Sequence, residues 1–118
     1  MTSAKQPCLQ GKSDLPCPPF PVEGMKPPLV SVVVTAFTCD SFVRRTLESV
    51  LAQTYGHFEC FVVDDASTDS TQKEIRAFLE EKKDIRFHLL QHLANRGQLA
   101  AQITGFRASQ GVFIVFLD

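Results

Sequence analysis

The chain has 118 residues, 44 % of them hydrophobic, and a formal charge of −1. That bounds it to one domain with a modest core and argues against a protein that binds nucleic acid by neutralising phosphates. No run reaches the roughly 18 apolar residues of a membrane span, and the first residues lack the apolar stretch of a signal peptide.

Residues 1–28 hold every proline: Pro7, Pro16, Pro18, Pro19, Pro21, Pro27 and Pro28. Proline removes backbone donors and excludes helix, so this segment is expected to be a disordered or extended leader. The cysteines, Cys8, Cys17, Cys39 and Cys60, have no Cys-x-x-Cys spacing, which disfavours zinc. Reduced thiols in a cytoplasmic protein are the expectation, with a Cys8–Cys17 bridge as the alternative. Any membrane association would come from parts outside this sequence.

The domain is expected over residues 29–118. Leu29 to Thr35 is β-branched and nearly continuous in apolar character, which suits a strand covered on both faces. Ala36 to Cys39 form a turn. Asp40 or Ser41 can cap a helix whose apolar positions are Val43, Leu47, Val50 and Leu51, and Gly56 suits its C-terminal cap. A second buried strand, Glu59 to Val63, stops at Asp64 and Asp65. Ser67, Thr68 or Asp69 can then accept the free N–H groups of the next helix. Thr71 and Glu74 have capping-box spacing, and Ile75, Phe78 and Leu79 share the helix's apolar face. Glu80 to Asp84 reads as a solvated helix end. Ile85 to Leu90 is a third strand, followed by the polar turn Gln91 to Gln98. A third helix, Gln98 to Ser109, presents Leu99, Ile103 and Phe106. After Gly111, Val112 to Leu117 is a fully apolar fourth strand that ends at Asp118.

The order βαβαβαβ implies an α/β fold, a Rossmann-like parallel sheet with right-handed crossovers and helices on both faces. In such a sheet all strands end on one rim, and ligands bind just beyond it. Thr35 to Phe37, Asp64 and Asp65, His92 to Gly97, and Asp118 all follow strand ends. One crevice therefore gathers a hydroxyl, an aromatic ring, three carboxylates and an Asn-x-Gly turn. The plainer reading of the acidic pair alone is a strand end with a helix cap.

Val30-Ser-Val-Val-Val-Thr-Ala-Phe37, Leu47-Glu-Ser-Val-Leu-Ala-Gln-Thr-Tyr55, Phe58-Glu-Cys-Phe-Val-Val-Asp-Asp-Ala-Ser-Thr-Asp69, Asn95-Arg-Gly97 and Gly111-Val-Phe-Ile-Val-Phe-Leu-Asp118 occur in this order. Together they resemble the amino-terminal half of a family 2 glycosyltransferase of the GT-A fold, over residues 29–118. The resemblance implies a donor-nucleotide site and a nucleotide-sugar substrate. Thr35, Ala36 and Phe37 would wrap the base, with the ring against uracil. Asp64 and Asp65 would line the nucleotide site, and Asp65 would accept the uracil N–H, a fitting task for an acceptor-only carboxylate. Asn95 and Gly97 would lie near the donor. Asp118 would be the first acid of a motif that binds Mg or Mn, whose charge offsets that of the leaving diphosphate.

Such relatives generally invert at the anomeric carbon, with a carboxylate base deprotonating the acceptor hydroxyl. No catalytic residue is assigned here, because the family places that base further downstream. The expectation is therefore a sheet truncated after its fourth strand, a fragment that does not transfer sugar alone. A UDP-sugar is the expected donor; neither the sugar nor the acceptor is legible. The sequence departs from the family where Thr35 replaces a common proline and Phe37 a common tyrosine. Ala101, Gln102 and Ile103 stand where Ala-Arg-Asn is frequent, which removes a donor contact from that helix.

His57, His88 and His92 fit no metal spacing and are expected in structural roles. Arg44 and Arg45 read as solvated charges. Phe42, Phe78, Phe106, Phe113 and Phe116 read as core, and nothing near Cys39 argues for an activated thiolate. Three other readings compete. A phosphorelay receiver also pairs acids at a strand end, but at its first strand. A nicotinamide-binding domain would need a Gly-x-Gly-x-x-Gly turn, which is absent here. A non-catalytic remnant would keep only the nucleotide pocket.

Overall fold

The computed structural model describes residues 27–118. Cys8, Cys17 and most of the proline-rich leader lie outside the described residues. The elements are β1 (Val30–Ala36), α1 (Val43–Leu51), β2 (Phe58–Asp64), α2 (Thr71–Lys82), β3 (Phe87–Gln91), α3 (Gln98–Ala108) and β4 (Phe113–Leu117). The four strands form one parallel sheet in the order β3-β2-β1-β4. Val30 to Ala36 pair with Phe58 to Asp64, and Val30 to Val34 pair with Phe113 to Leu117.

Alternation of side chains along each strand divides the core. Val34, Ala36, Phe58, Cys60 and Val62 point to one face, where Val43, Leu47 and Val50 of α1 and Ile75 and Phe78 of α2 cover them. Val33 and Val63 point to the other face and meet Ala101 of α3. Helices on both faces explain why β1 and β2 are apolar without alternation.

Several expected details differ. α1 takes no side-chain cap from Asp40 or Ser41; its N-cap position is Phe42. The N–H groups of Phe42 and Val43 both donate to the Cys39 carbonyl at 2.9 Å. Asp40 is engaged elsewhere, accepting from the Ser70 N–H at 3.4 Å. The helix stops at Leu51, and Ala52 closes it by donating to Glu48. Gly56 is not its cap; the Gly56 carbonyl accepts from Arg86 at 2.9 Å. The Thr71–Glu74 capping box does not form either, because Thr71 is already helical and fully buried. Of Ser67, Thr68 and Asp69, the expected acceptors for this helix, Asp69 takes the Thr71 N–H at 2.9 Å. At the far end of α2, Arg86 makes a two-pronged bond to Asp84 and lies over the Phe58 ring, 4.2 Å from its centre.

The larger corrections concern α3 and β4. The apolar residues Leu99, Ile103 and Phe106 face outward, and the small residues Ala101 and Gly105 meet the sheet. A Cβ at Gly105 would lie 2.3 Å from a Val33 methyl, so the helix approaches β1 more closely than a bulky face permits. Among the described residues β4 pairs only with β1, and its faces are not covered there: Phe113 is 58 % and Phe116 44 % exposed. Of the five phenylalanines expected in the core, Phe78 alone is buried; Phe42 and Phe106 are exposed as well. No helix among the described residues is long and apolar enough to cross a membrane.

Candidate functional site

The crossover from β1 leads to β2 on one side, and β4 arrives on the other, so strand order reverses between β1 and β4. A crevice opens beyond the carboxyl ends of strands at such a reversal. Here it is a cleft of about 510 Å3 lined by Thr35, Ala36, Phe37, Asp65, Asn95, Gly97 and Asp118, among others. These are the residues the sequence pointed to, and the strand ends bring them together. Asp64 is the exception in placement. It does not line the cleft; its carboxylate is buried and accepts from the N–H and hydroxyl of Ser67. Adjacent residues at a strand end point in opposite directions, so only one of the two acids can face the cleft.

The loops that carry these residues hold one another. The Asp65 N–H donates to the Ala36 carbonyl at 2.9 Å. The Thr38 N–H reaches the Ser67 hydroxyl at 3.0 Å, and the Cys39 N–H reaches the Thr71 hydroxyl at 2.8 Å. Asp69, which also takes the Asp40 N–H, is held below its usual pKa chiefly by the Thr71 hydroxyl. Thr38 and Ala66 both have positive φ, 45° and 61°. Left-handed backbone is unfavourable for residues with a Cβ, and the cross-loop bonds impose it at the cleft's rim.

Asp65 is the most constrained group in the site. Its carboxylate accepts the N–H of Arg96 and the N–H of Gly97, each at 2.8 Å, and sits 2.7 Å from His92 Nδ1. Gly97 has φ 97°, a conformation glycine adopts without strain, and this turn aims both N–H groups at the acid. Burial raises the Asp65 pKa, but the bonds from His92, Arg96 and Gly97 outweigh it and hold the carboxyl below its ordinary value. Asn95 donates to the Asp65 carbonyl at 3.4 Å, and the Phe37 ring stands half exposed at the cleft.

Sequence reasoning missed three features. His92 is an integral partner of Asp65, which a separation of 27 residues hides. Gln98, directly after the Asn-x-Gly turn, donates to Asp118 and lines the cleft. Phe42, expected in the core, lines the cleft too. Cys39, expected beside the base site, also lines it, and burial raises its thiol pKa. Cys60, within the sheet, is pushed up to about 12 by burial.

Asp118 offers one hard oxygen donor of the kind Mg2+ or Mn2+ prefers. Its neighbours are the Gln98 amide and the Thr35 hydroxyl, the latter at 3.5 Å. No cluster of three metal-ligating side chains occurs among the described residues. Asp118 can therefore contribute to a cation site but does not build one alone.

The strand order also removes the receiver, which has the order 2-1-3-4-5 with its acids after the first strand; neither holds here.

A family described as Glycosyl transferase family 2 matches residues 31–118. The Escherichia coli UDP-Glc:alpha-D-GlcNAc-diphosphoundecaprenol beta-1,3-glucosyltransferase WfaP is 33 % identical over 90 residues, covering 76 % of this chain and 34 % of WfaP. Among solved structures, the mannosyltransferase PcManGT of Pyrobaculum calidifontis, in complex with GDP-Man and Mn2+, superposes with a TM-score of 0.70. It is 29 % identical, over 74 % of this chain and 26 % of that one. S. aureus TarS 1-349 in complex with UDP gives 0.67 at 25 % identity, over 75 % of this chain and 26 % of that one. The chain spans about a third of the length of the curated relatives it matches. With its parallel α/β sheet of GT-A type and a family match across nearly all of the described residues, the chain belongs to glycosyl transferase family 2.

Proposed function

We propose that the cleft binds the nucleoside diphosphate of a nucleotide-sugar donor, with uracil as the base, within an inverting glycosyltransferase. The observation that carries this reading is the meeting of Phe37 and Asp65 in one cleft at the strand-order reversal. A half-exposed aromatic ring gives a base a face to stack on. A buried, ionised carboxylate gives its N–H an acceptor that cannot also donate. The names of WfaP and of the TarS complex, which specify UDP-Glc and UDP, support uracil. PcManGT, whose complex holds GDP-Man, makes guanine the rival.

Thr35 and Ala36 form the wall beside the base, and the Asn95–Gly97 turn closes the opposite side. Asp118 would be one ligand of a divalent cation, which when bound offsets charge on the leaving diphosphate. No side chain among the described residues is assigned as the acceptor base. In this reading residues 29–118 are the donor half of the domain, and residues 1–28 are a leader ahead of it.

Calorimetric titration with UDP, GDP and ADP tests the reading. UDP should bind most tightly, and Asp65→Ala should weaken it at least about tenfold, the scale of one lost charge-assisted hydrogen bond. Unchanged UDP affinity in Asp65→Ala would remove Asp65 from base recognition.

A further inference from the structure

An ionised carboxylate has about four acceptor positions, two on each oxygen. On Asp65, Oδ1 takes the Arg96 N–H at 2.8 Å and faces His92 Nδ1 at 2.7 Å. Oδ2 takes only the Gly97 N–H, at 2.8 Å. A carboxylate does not donate, so the hydrogen of the His92 contact must reside on Nδ1. The other ring nitrogen is fixed as well, 2.8 Å from the Thr104 hydroxyl on α3. Thr104 is itself tied to the Ala100 carbonyl at 3.0 Å. The side chains of His92 and Asp65 are 6 % and 4 % exposed, so bulk water does not compete for these bonds.

The count leaves Oδ1 full and one lone pair open on Oδ2. Uracil presents a single imide N–H on its pairing edge, and one acceptor satisfies it. Guanine presents two adjacent donors there, a ring N–H and an exocyclic amine. Two parallel donors need both oxygens of a carboxylate, as a bidentate pair does. With Oδ1 occupied, one guanine donor is left unpaired in a buried site, which is the costly outcome.

We propose that His92 is a positioning residue that sets base specificity: by filling Oδ1 of Asp65 from the α3 side, it leaves one acceptor and favours uracil over guanine. This rests on the reading of Asp65 as the base-recognising acid. Arg96 and Gly97 hold the carboxylate from one loop only. His92 ties it to α3 through Thr104 and removes the remaining rotation. Without His92, Oδ1 regains a lone pair and the carboxylate can turn to meet two donors.

The test is the ratio of UDP to GDP affinity, by calorimetry, in the wild-type protein and in Asp65→Ala, His92→Ala and His92→Asn. The wild type should prefer UDP. His92→Ala should narrow that preference by about tenfold, the cost of one unpaired buried donor. His92→Asn should restore it, because an amide N–H can still fill Oδ1. A merely structural role predicts a different pattern, with UDP and GDP losing affinity in parallel and no rescue by asparagine. That pattern, or an unchanged ratio in a folded His92→Ala, overturns the proposal while leaving Asp65 in place. UDP affinity unaffected by Asp65→Ala overturns the reading beneath it, and this inference with it.

Discussion

Asp65 shows how far one side chain can be specified by its neighbours. Two backbone N–H groups and an imidazole N–H converge on a carboxylate that is almost fully buried. Its folded pKa therefore lies below the ordinary carboxylate value of about 3.9. For a depressed pKa the linked stabilisation is fully present above that ordinary value and is lost as pH falls through the lowered one. Asp65→Asn brings an amide N–H group toward two backbone donors. It should destabilise the protein at pH 7 by about 1–3 kcal/mol, the cost of unsatisfied buried groups. Thermal melts should show this gap beginning to close as the pH falls below about 4, where the unfolded chain takes up the proton first, and closing fully only once the pH has passed the lowered folded value. A gap that stays constant with pH would mean that the charge of Asp65 is not what the turn holds. The acid's position was legible, because it follows an apolar run at a strand end. The resemblance had singled out Asp65 as the base acceptor, but that Asp64 turns away from the cleft follows from alternation, which a string of letters does not phase. The part played by His92 was not legible, since only the fold brings residues 65, 92 and 104 together.

At the scale of elements, periodicity located every strand and helix, and its failures have a common cause. Hydrophobic spacing assumes that the bulkiest face is the buried one. In α3 the sheet is met by Ala101 and Gly105, and the larger residues remain outside. A close helix–strand approach rewards small residues, which a count of apolar positions undervalues. Gly105→Ala should expose this directly. The added Cβ would sit 2.3 Å from a Val33 methyl and 3.2 Å from its Cβ. Overpacking of this kind costs about 1–3 kcal/mol. In a Val33→Ala background the added cost of Gly105→Ala should shrink, because the two clashing methyls are gone; a double-mutant cycle from denaturant melts reads the coupling. Equal cost in both backgrounds would mean that α3 does not seat on Val33. Asp69 caps α2 as its position suggested, but the caps expected from Asp40 and Thr71 fail for a related reason. Both are drawn into bonds between the β1–α1 and β2–α2 loops, and local capping signals carry no information about that competition.

At the scale of the molecule, the strand order does the functional work. It places the end of β1 beside the end of β4, so that Thr35 to Phe37 and Asp118 face one opening. The loop after β2 and the turn after β3 then bring Asp65, Asn95 and Gly97 to the same cleft. Alternation of elements announced a parallel sheet, and the apolar run of β4, expected to leave apolar surface uncovered, does so among the described residues. Amide-resolved NMR of the labelled protein during a UDP titration locates the nucleotide. Shift changes should concentrate at Ala36, Phe37, Asp65 and Gly97, with little effect on the solvent-facing residues of α2. Changes centred away from the β1–β4 opening, or none at saturating UDP, would contradict the proposed donor cleft.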